Sequence, residues 1–251
     1  ANVPAGSPFF PAAYHGGGGL AFAVAPQAAD LAVDAFTGAE TVDQGAASLT
    51  KLIEEHGKQL ADVGAQIAEK HQVRFGGIDF SLAPFPSEAE SLGTAFERMG
   101  LAAVGHQGSL AAAAALTSAV DAADFPRAGF NGLLLPPLED YTLAKRAAEV
   151  LLTVNDLFMY SAVCGTGLDT VPLPGDVSVA AMAALLLDVS ALALRLNKPL
   201  TARLMPIPGK RAGDETSFDF DFFANTHVMA LDAEALGGPL GTEQTINLRS
   251  R

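Results

Sequence analysis

The 251-residue chain is 49% hydrophobic and 17% charged, which excludes a disordered polymer and suffices for the core of one large α/β domain or two small ones. Fifteen Lys and Arg against 28 Asp and Glu leave a net charge of -13, a field that repels phosphate backbones and anionic lipid surfaces and speaks against a nucleic-acid partner. A single cysteine excludes an internal disulfide and a cysteine-rich zinc site.

The opening "ANVPAGSPFF" has no initiator Met and no signal-peptide pattern, which reads as a processed or partial chain of intracellular, cytoplasmic location. Residues 1–19 end in "YHGGGG" and carry loop chemistry. A small-residue helix is expected from Pro26 to about Phe36. In "DQGAASLTKLIEEHGKQLADVGAQIAEKH", apolar Leu49, Leu52, Ile53, Leu60, Val63 and Ile67 recur between charges, the mark of a long amphipathic helix. "VRFGGIDFSLAPFP" reads as a strand closed by Pro84 and Pro86, after which Ser87 and Glu90 form a capping-box pattern for the next helix.

"SLAAAAALTSAVDAA" is helical by propensity, and "FNGLLLPP" reads as a short buried strand stopped by prolines. "LEDYTLAKRAAEVLL" predicts a helix, while "LFMYSAVC" fits a strand or a helix. "SVAAMAALLLDVSALALRLN" predicts a buried helix, since Asp188 and Arg195 interrupt a run that would otherwise suit a membrane span. "LTARLMPIP" and the alternating "SFDFDFF", with Phe218, Phe220 and Phe222 on one face, complete the expected strands. Strands separated by helices imply parallel pairing in one α/β domain over residues 1–232, followed by a tail at 233–251.

In parallel architectures the loops at strand carboxyl ends carry the chemistry. Four stretches fit: "GGIDFSLAP" with Asp79, "PPLEDYTL" with Glu139 and Asp140, "CGTGLDTVPLPGD", and "RLMPIPGKRAGD". Cys164 has two readings, a nucleophile with a lowered pKa beside flexible glycines or a small buried packing residue. Gly165 and Gly167 offer a weak phosphate-binding pattern, lacking the third glycine of the dinucleotide fingerprint. Asp169, Asp176, Glu139 and Asp140 are candidate oxygen ligands for Mg²⁺ or Ca²⁺, each with turn or cap chemistry as its alternative. His15 in its glycine loop is a candidate acid or base beside Asp79, and Arg203 and Lys210 are candidate holders of an anionic group.

The strings "RFGGIDFSLAPFP", "GSLAAAAALTSAVDAADFPRAGFNGLLLPPLEDYTL", "YSAVCGTGLDTVPLPGD" and "KPLTARLMPIPGKRAGD" with "FDFDFFAN" resemble the DUF711 family, also called UPF0210. The resemblance implies that the chain is the C-terminal portion of a longer protein, in the barrel fold group of pyruvate formate-lyase-like glycyl radical enzymes, here as an incomplete barrel. It also implies that Cys164 occupies the active-loop position. The Arg-Val-x-Gly-Tyr type radical loop is missing, "EALGGPLG" standing near the C-terminus, so no glycyl radical is expected. The expected function is a non-radical enzyme of small-molecule metabolism using a loop thiol and a carboxylate–cation site. The alternative is a catalytically silent assembly module, a homo-oligomer or complex subunit whose partner is the missing N-terminal portion or another chain.

Overall fold

The computed structural model describes residues 1–9, 12–14, 16–164 and 166–250. In chain order it contains β1 (Ala21–Val24), α1 (Ala29–Phe36), α2 (Val42–His71), β2 (Arg74–Ile78), α3 (Leu92–Arg98), α4 (Ser109–Ala122), α5 (Tyr141–Ala148), α6 (Val154–Tyr160), β3 (Gly167–Pro174), α7 (Val179–Leu196) and β4 (Thr201–Ile207). Two short 3-10 turns, Glu88–Glu90 and Gly238–Gly241, accompany them.

Two crossover units organise these elements. β1 and β2 pair in parallel around α1 and α2, and β3 and β4 pair in parallel around α7. The chain is therefore mixed α/β with two small parallel strand pairs. Among the described residues the sheets are two separate strand pairs, and no barrel is closed. One continuous apolar core nonetheless joins them, running from Phe36, Ile53 and Phe80 through Phe96 and Tyr160 to Leu168, Leu173 and Leu185.

α2 is a long helix as its spacing predicts, but Val63 and Ile67 of its apolar set are exposed. Thr41 caps it by accepting the Gln44 N–H at 3.1 Å, and Gln72 ends it in the left-handed region. Its buried stripe holds glycines as well as Leu49 and Ile53, because phenyl rings lie against the helix backbone: Phe36 at Gly45, Phe125 at Gly57 and Phe75 at Gly64. A methyl group at Gly64 would come within 2.7 Å of the Phe75 ring.

Several expectations are corrected. β1 and β3 were not foreseen, and "CGTGLDTVPLPGD" is mostly strand rather than loop. "FNGLLLPP" forms no strand; its backbone bonds run singly, Leu134 N–H to Ser81 O at 3.1 Å and Leu133 N–H to Cys164 Sγ at 3.2 Å. "SFDFDFF" is a loop whose Phe218 N–H donates to the Asn225 side chain. "LFMYSAVC" resolves as the end of α6 and the turn after it. Ser91, rather than Ser87, caps α3, accepting the Thr94 N–H at 3.0 Å, while Ser87 donates to the Glu90 carboxylate.

α7 also departs from its predicted burial. By length and composition it is apolar enough to cross a membrane, yet only Ala181, Leu185, Val189 and Ala193, one stripe at every fourth position, are buried. Val179, Leu186, Leu194 and Leu196 are exposed, Val179 by 79%. Residues 234–250 of the tail are also exposed.

Candidate functional site

Residues 128–134 tie the carboxyl end of β2 to the turn that leads into β3. At the first end Asp79 is 3% exposed, and its carboxylate accepts the Phe130 and Asn131 N–H groups at 2.9 Å each, together with the Ser81 hydroxyl. Asn131, at φ +54, returns its side-chain oxygen to the Phe80 N–H at 2.9 Å and its amide to Ala128 O at 2.8 Å. Gly129 is required here, since a Cβ at its φ of +71 would collide with Asp79 Oδ2. Asp79 thus acts as a clamp on this segment, with both oxygens engaged.

At the other end the Leu133 N–H points at Cys164 Sγ, and a Cβ on Gly132 would lie 2.8 Å from the sulfur. Cys164 is 3% exposed and sits in the turn that closes α6, its own N–H donating to Tyr160 O. Lys198 donates to Ser161 O at 2.6 Å; burial pushes its ammonium pKa down, and the nearby Cys164 charge works against that shift. A backbone donor and a half-buried cation favour a thiolate, whereas the carboxyl end of a helix disfavours one.

A second polar group lies where β3 begins. Arg203 on β4 donates from Nε to Asp169 Oδ1 and from Nη2 to Glu139 Oε1 at 3.2 Å. Asp169 is 1% exposed, and its Oδ2 has no partner among the described residues. The same is true of Thr166 Oγ1 and Thr170 Oγ1. The pairing with β4 shifts register between Leu168 and Val171, and Thr170 has φ +40, an unfavourable value for a β-branched residue. Burial pushes the Glu139 carboxyl above its usual range, Arg203 lowers it and the Asp169 charge raises it.

The predicted residues separate on this geometry. Asp79 and Cys164 are brought to one segment, 128–134, and Asp169, Glu139 and Arg203 to one ion-pair group. Asp140 is fully buried as the cap of α5, accepting Thr142 and Leu143 N–H and the Ser91 hydroxyl. Asp176 lies exposed beyond the opposite end of β3 from Asp169. Among the described residues no three His, Cys, Asp or Glu side chains group as a metal ion would need. Lys210 lies in the turn past the carboxyl end of β4, and about 13 Å of strand separates Arg203 from Ile207 where that turn begins, so the two do not share one anion. Arg203 is moreover already neutralised by two carboxylates. Gly167, at φ +108, serves the close approach of β3 to Thr201. His15 and Gly165 lie outside the described residues.

The polar clusters rest on a chain whose likeness to known proteins is extensive. A family model described as "Uncharacterised ACR (DUF711)" matches residues 1–225. The chain belongs to the DUF711 family. A UPF0210 protein of Pyrobaculum arsenaticum is 38% identical over 230 residues, covering 85% of this chain and 49% of that protein. A UPF0210 protein of Methanopyrus kandleri is 35% identical over 231 residues, with the same coverage of 85% and 49%. One from Oleidesulfovibrio alaskensis is 40% identical over 160 residues, 62% of this chain and 35% of the relative. This DUF711 chain therefore spans about half the length of those first two curated relatives.

Thr166, Lys198, Ser81 and Asn131 were not singled out in the sequence, whereas Thr170 was named with Cys164, Asp169 and Asp176. Asn131 carried a signal, since Asn before Gly favours the left-handed region. Lys198 carried none: its neighbour Cys164 is 34 positions away and meets it only through the β3–α7–β4 crossover.

Proposed function

We propose that this chain contributes part of the active site of a non-radical enzyme of small-molecule metabolism. In this reading Cys164 is the thiol, and residues 166–170, with Asp169 held by Arg203, receive a polar substrate. The observation that carries it is the run of three buried polar atoms without a partner among the described residues, Thr166 Oγ1, Asp169 Oδ2 and Thr170 Oγ1, shortly after Cys164 and around a strained bulge. Buried oxygens without partners are costly, at about 1–3 kcal/mol each, and such strain concentrates where a ligand completes the bonding. Asp169 Oδ2 requires a donor, which suits a substrate carrying hydroxyl or ammonium groups. Glu139, its carboxyl raised by burial, is suited to hold a proton beside it.

Alkylation of Cys164 by iodoacetamide, followed by mass spectrometry, tests the thiol role. The native protein is expected to label, and Lys198→Met to slow labelling at pH 7 by roughly tenfold through loss of the cation. Labelling only on unfolding would make Cys164 a packing residue and sink this reading.

A second reading, an assembly module, is favoured by α7. Its exposed apolar residues and the two-stranded parallel pairs, a form that elsewhere has both faces covered, suit a chain that docks on further polypeptide. The roughly half-length match to relatives fits this reading too. Light scattering is expected to give a mass above the 25.8 kDa of one chain, reduced by Leu186→Glu. A stable monomer that leaves α7 accessible would argue against it.

A further inference from the structure

A cleft of about 430 Å³ opens between α5 and the loop at 216–226, and it shares no lining residue with the thiol and aspartate groups. The loop has a defined shape. Thr216 N–H donates to Thr226 O at 2.7 Å, and the Asn225 side chain accepts from Phe218 N–H at 2.7 Å and donates to Phe218 O at 3.0 Å. Ala224 N–H to Leu138 O, at 2.6 Å, and the Thr226 hydroxyl to Ala144 O stitch its stem to the α5 region. Small Ala144 and Ala224 therefore line the cleft between the two walls.

The loop wall is aromatic. Phe85, Phe222, Phe220, Phe223 and Phe218 form a row with successive ring centroids 5.7, 5.4, 5.1 and 5.1 Å apart, and Phe220 is more than half exposed. From α5, Tyr141 and Lys145 face the same space one helical turn apart. Lys145 and Asp221 both line the cleft, and neither makes an ion pair or a side-chain hydrogen bond among the described residues. The neighbouring Arg146, by contrast, is held by Glu97 and Glu149.

We propose that this cleft binds a small zwitterion bearing an aromatic ring, the chemical class of an aromatic α-amino acid. The ring takes the slot beside Tyr141, Phe220 and Phe223, where offset or edge contacts with phenyl rings are favourable. The ligand carboxylate pairs with Lys145 and its ammonium with Asp221. A slot of rings alone would accept any apolar ring; one unpaired charge of each sign selects for both ligand charges. The net charge of -13 also repels a simple anion but not a neutral zwitterion.

The chain contains no tryptophan, so the emission of added L-tryptophan reports the ligand's own surroundings. Titration with the whole chain is expected to give a saturable blue shift with Kd on the order of 0.1–1 mM. By competition, tryptamine and indole-3-propionate, each lacking one charge, are expected to bind roughly tenfold more weakly. Lys145→Met should weaken L-tryptophan by a similar factor and leave tryptamine unchanged; Asp221→Asn should weaken L-tryptophan and leave indole-3-propionate unchanged. Equal binding of the three compounds would reduce the cleft to an unselective apolar surface and overturn the proposal. So would no saturation by about 10 mM. Cys164 labelling is a separate readout, so failure here is distinguishable from failure of the thiol reading.

Discussion

Asp79 and Asp169 are both buried beside parallel strand pairs, and they use their oxygens differently. Asp79 spends both on the protein: two backbone N–H groups and a hydroxyl fix residues 128–131 against the end of β2. Asp169 gives one oxygen to Arg203 and leaves the other without a partner among the described residues, between two threonines in the same condition. The first pattern is that of a structural clamp. The second fits the site proposed above, because folding alone does not repay a buried lone pair with nothing to accept. Burial does not separate the two aspartates; the fate of each oxygen does.

The same substitution at both positions puts that contrast to the test. In Asp79→Asn one acceptor becomes an NH₂ group facing a backbone N–H, either that of Phe130 or that of Asn131. We expect a loss of about 2–3 kcal/mol, read as a fall in Tm of roughly 5–10 °C. In Asp169→Asn the amide nitrogen can occupy the unpartnered side while the oxygen keeps Arg203, which is 46% exposed and retains Glu139. The expected change is within about 1 kcal/mol. Two thermal scans decide it, and equal losses would erase the distinction between clamp and site.

How much of this was legible in the sequence follows from the reach of each interaction. α2, α4, α5 and α7 are written in local spacing and composition, and the structure has helices there. β3 was missed because "GLDTVPLP" carries two prolines, an Asp and a Thr, all turn-like by local chemistry. It becomes a strand because β4 pairs with it in parallel after an 18-residue helix, and the bulge at Asp169 and Thr170 absorbs the misfit. The converse error, a strand at "FNGLLLPP", arose because apolar residues can be buried without a ladder; Leu133 and Leu135 enter the core from irregular backbone. Asp79, Cys164, Asp169, Glu139 and Arg203 were all named from residue type and loop position. Their partition into a clamped segment and an ion-pair group was not, since it depends on which backbone N–H groups reach them. Cys164 and Asp169 also stand at the amino end of the β3–β4 pair, where a rule about strand carboxyl ends does not look.

The smallest expected effect is electrostatic and falls on Glu139, the bridge from the α5 cap to Arg203. Burial, the largest influence, raises its folded-state pKa above the unfolded value, so between those two values the folded chain binds more protons than the unfolded one. That contribution to stability is complete below the unfolded pKa and is lost as pH rises through the folded pKa. Buried Asp140 shifts in the same direction and adds to the slope. Glu139→Gln removes only the Glu139 part. Wild type should therefore lose ground to the variant as pH climbs from about 4, with the gap levelling off once Glu139 is ionised in the folded chain. Denaturant midpoints for both proteins, taken at half-unit steps of pH, resolve this. A gap that does not change with pH would mean that Arg203 offsets the effect of burial, and one that moves in the wild type's favour as pH rises would mean that Arg203 holds Glu139 ionised, so that the proton beside Asp169 would have to come from the substrate.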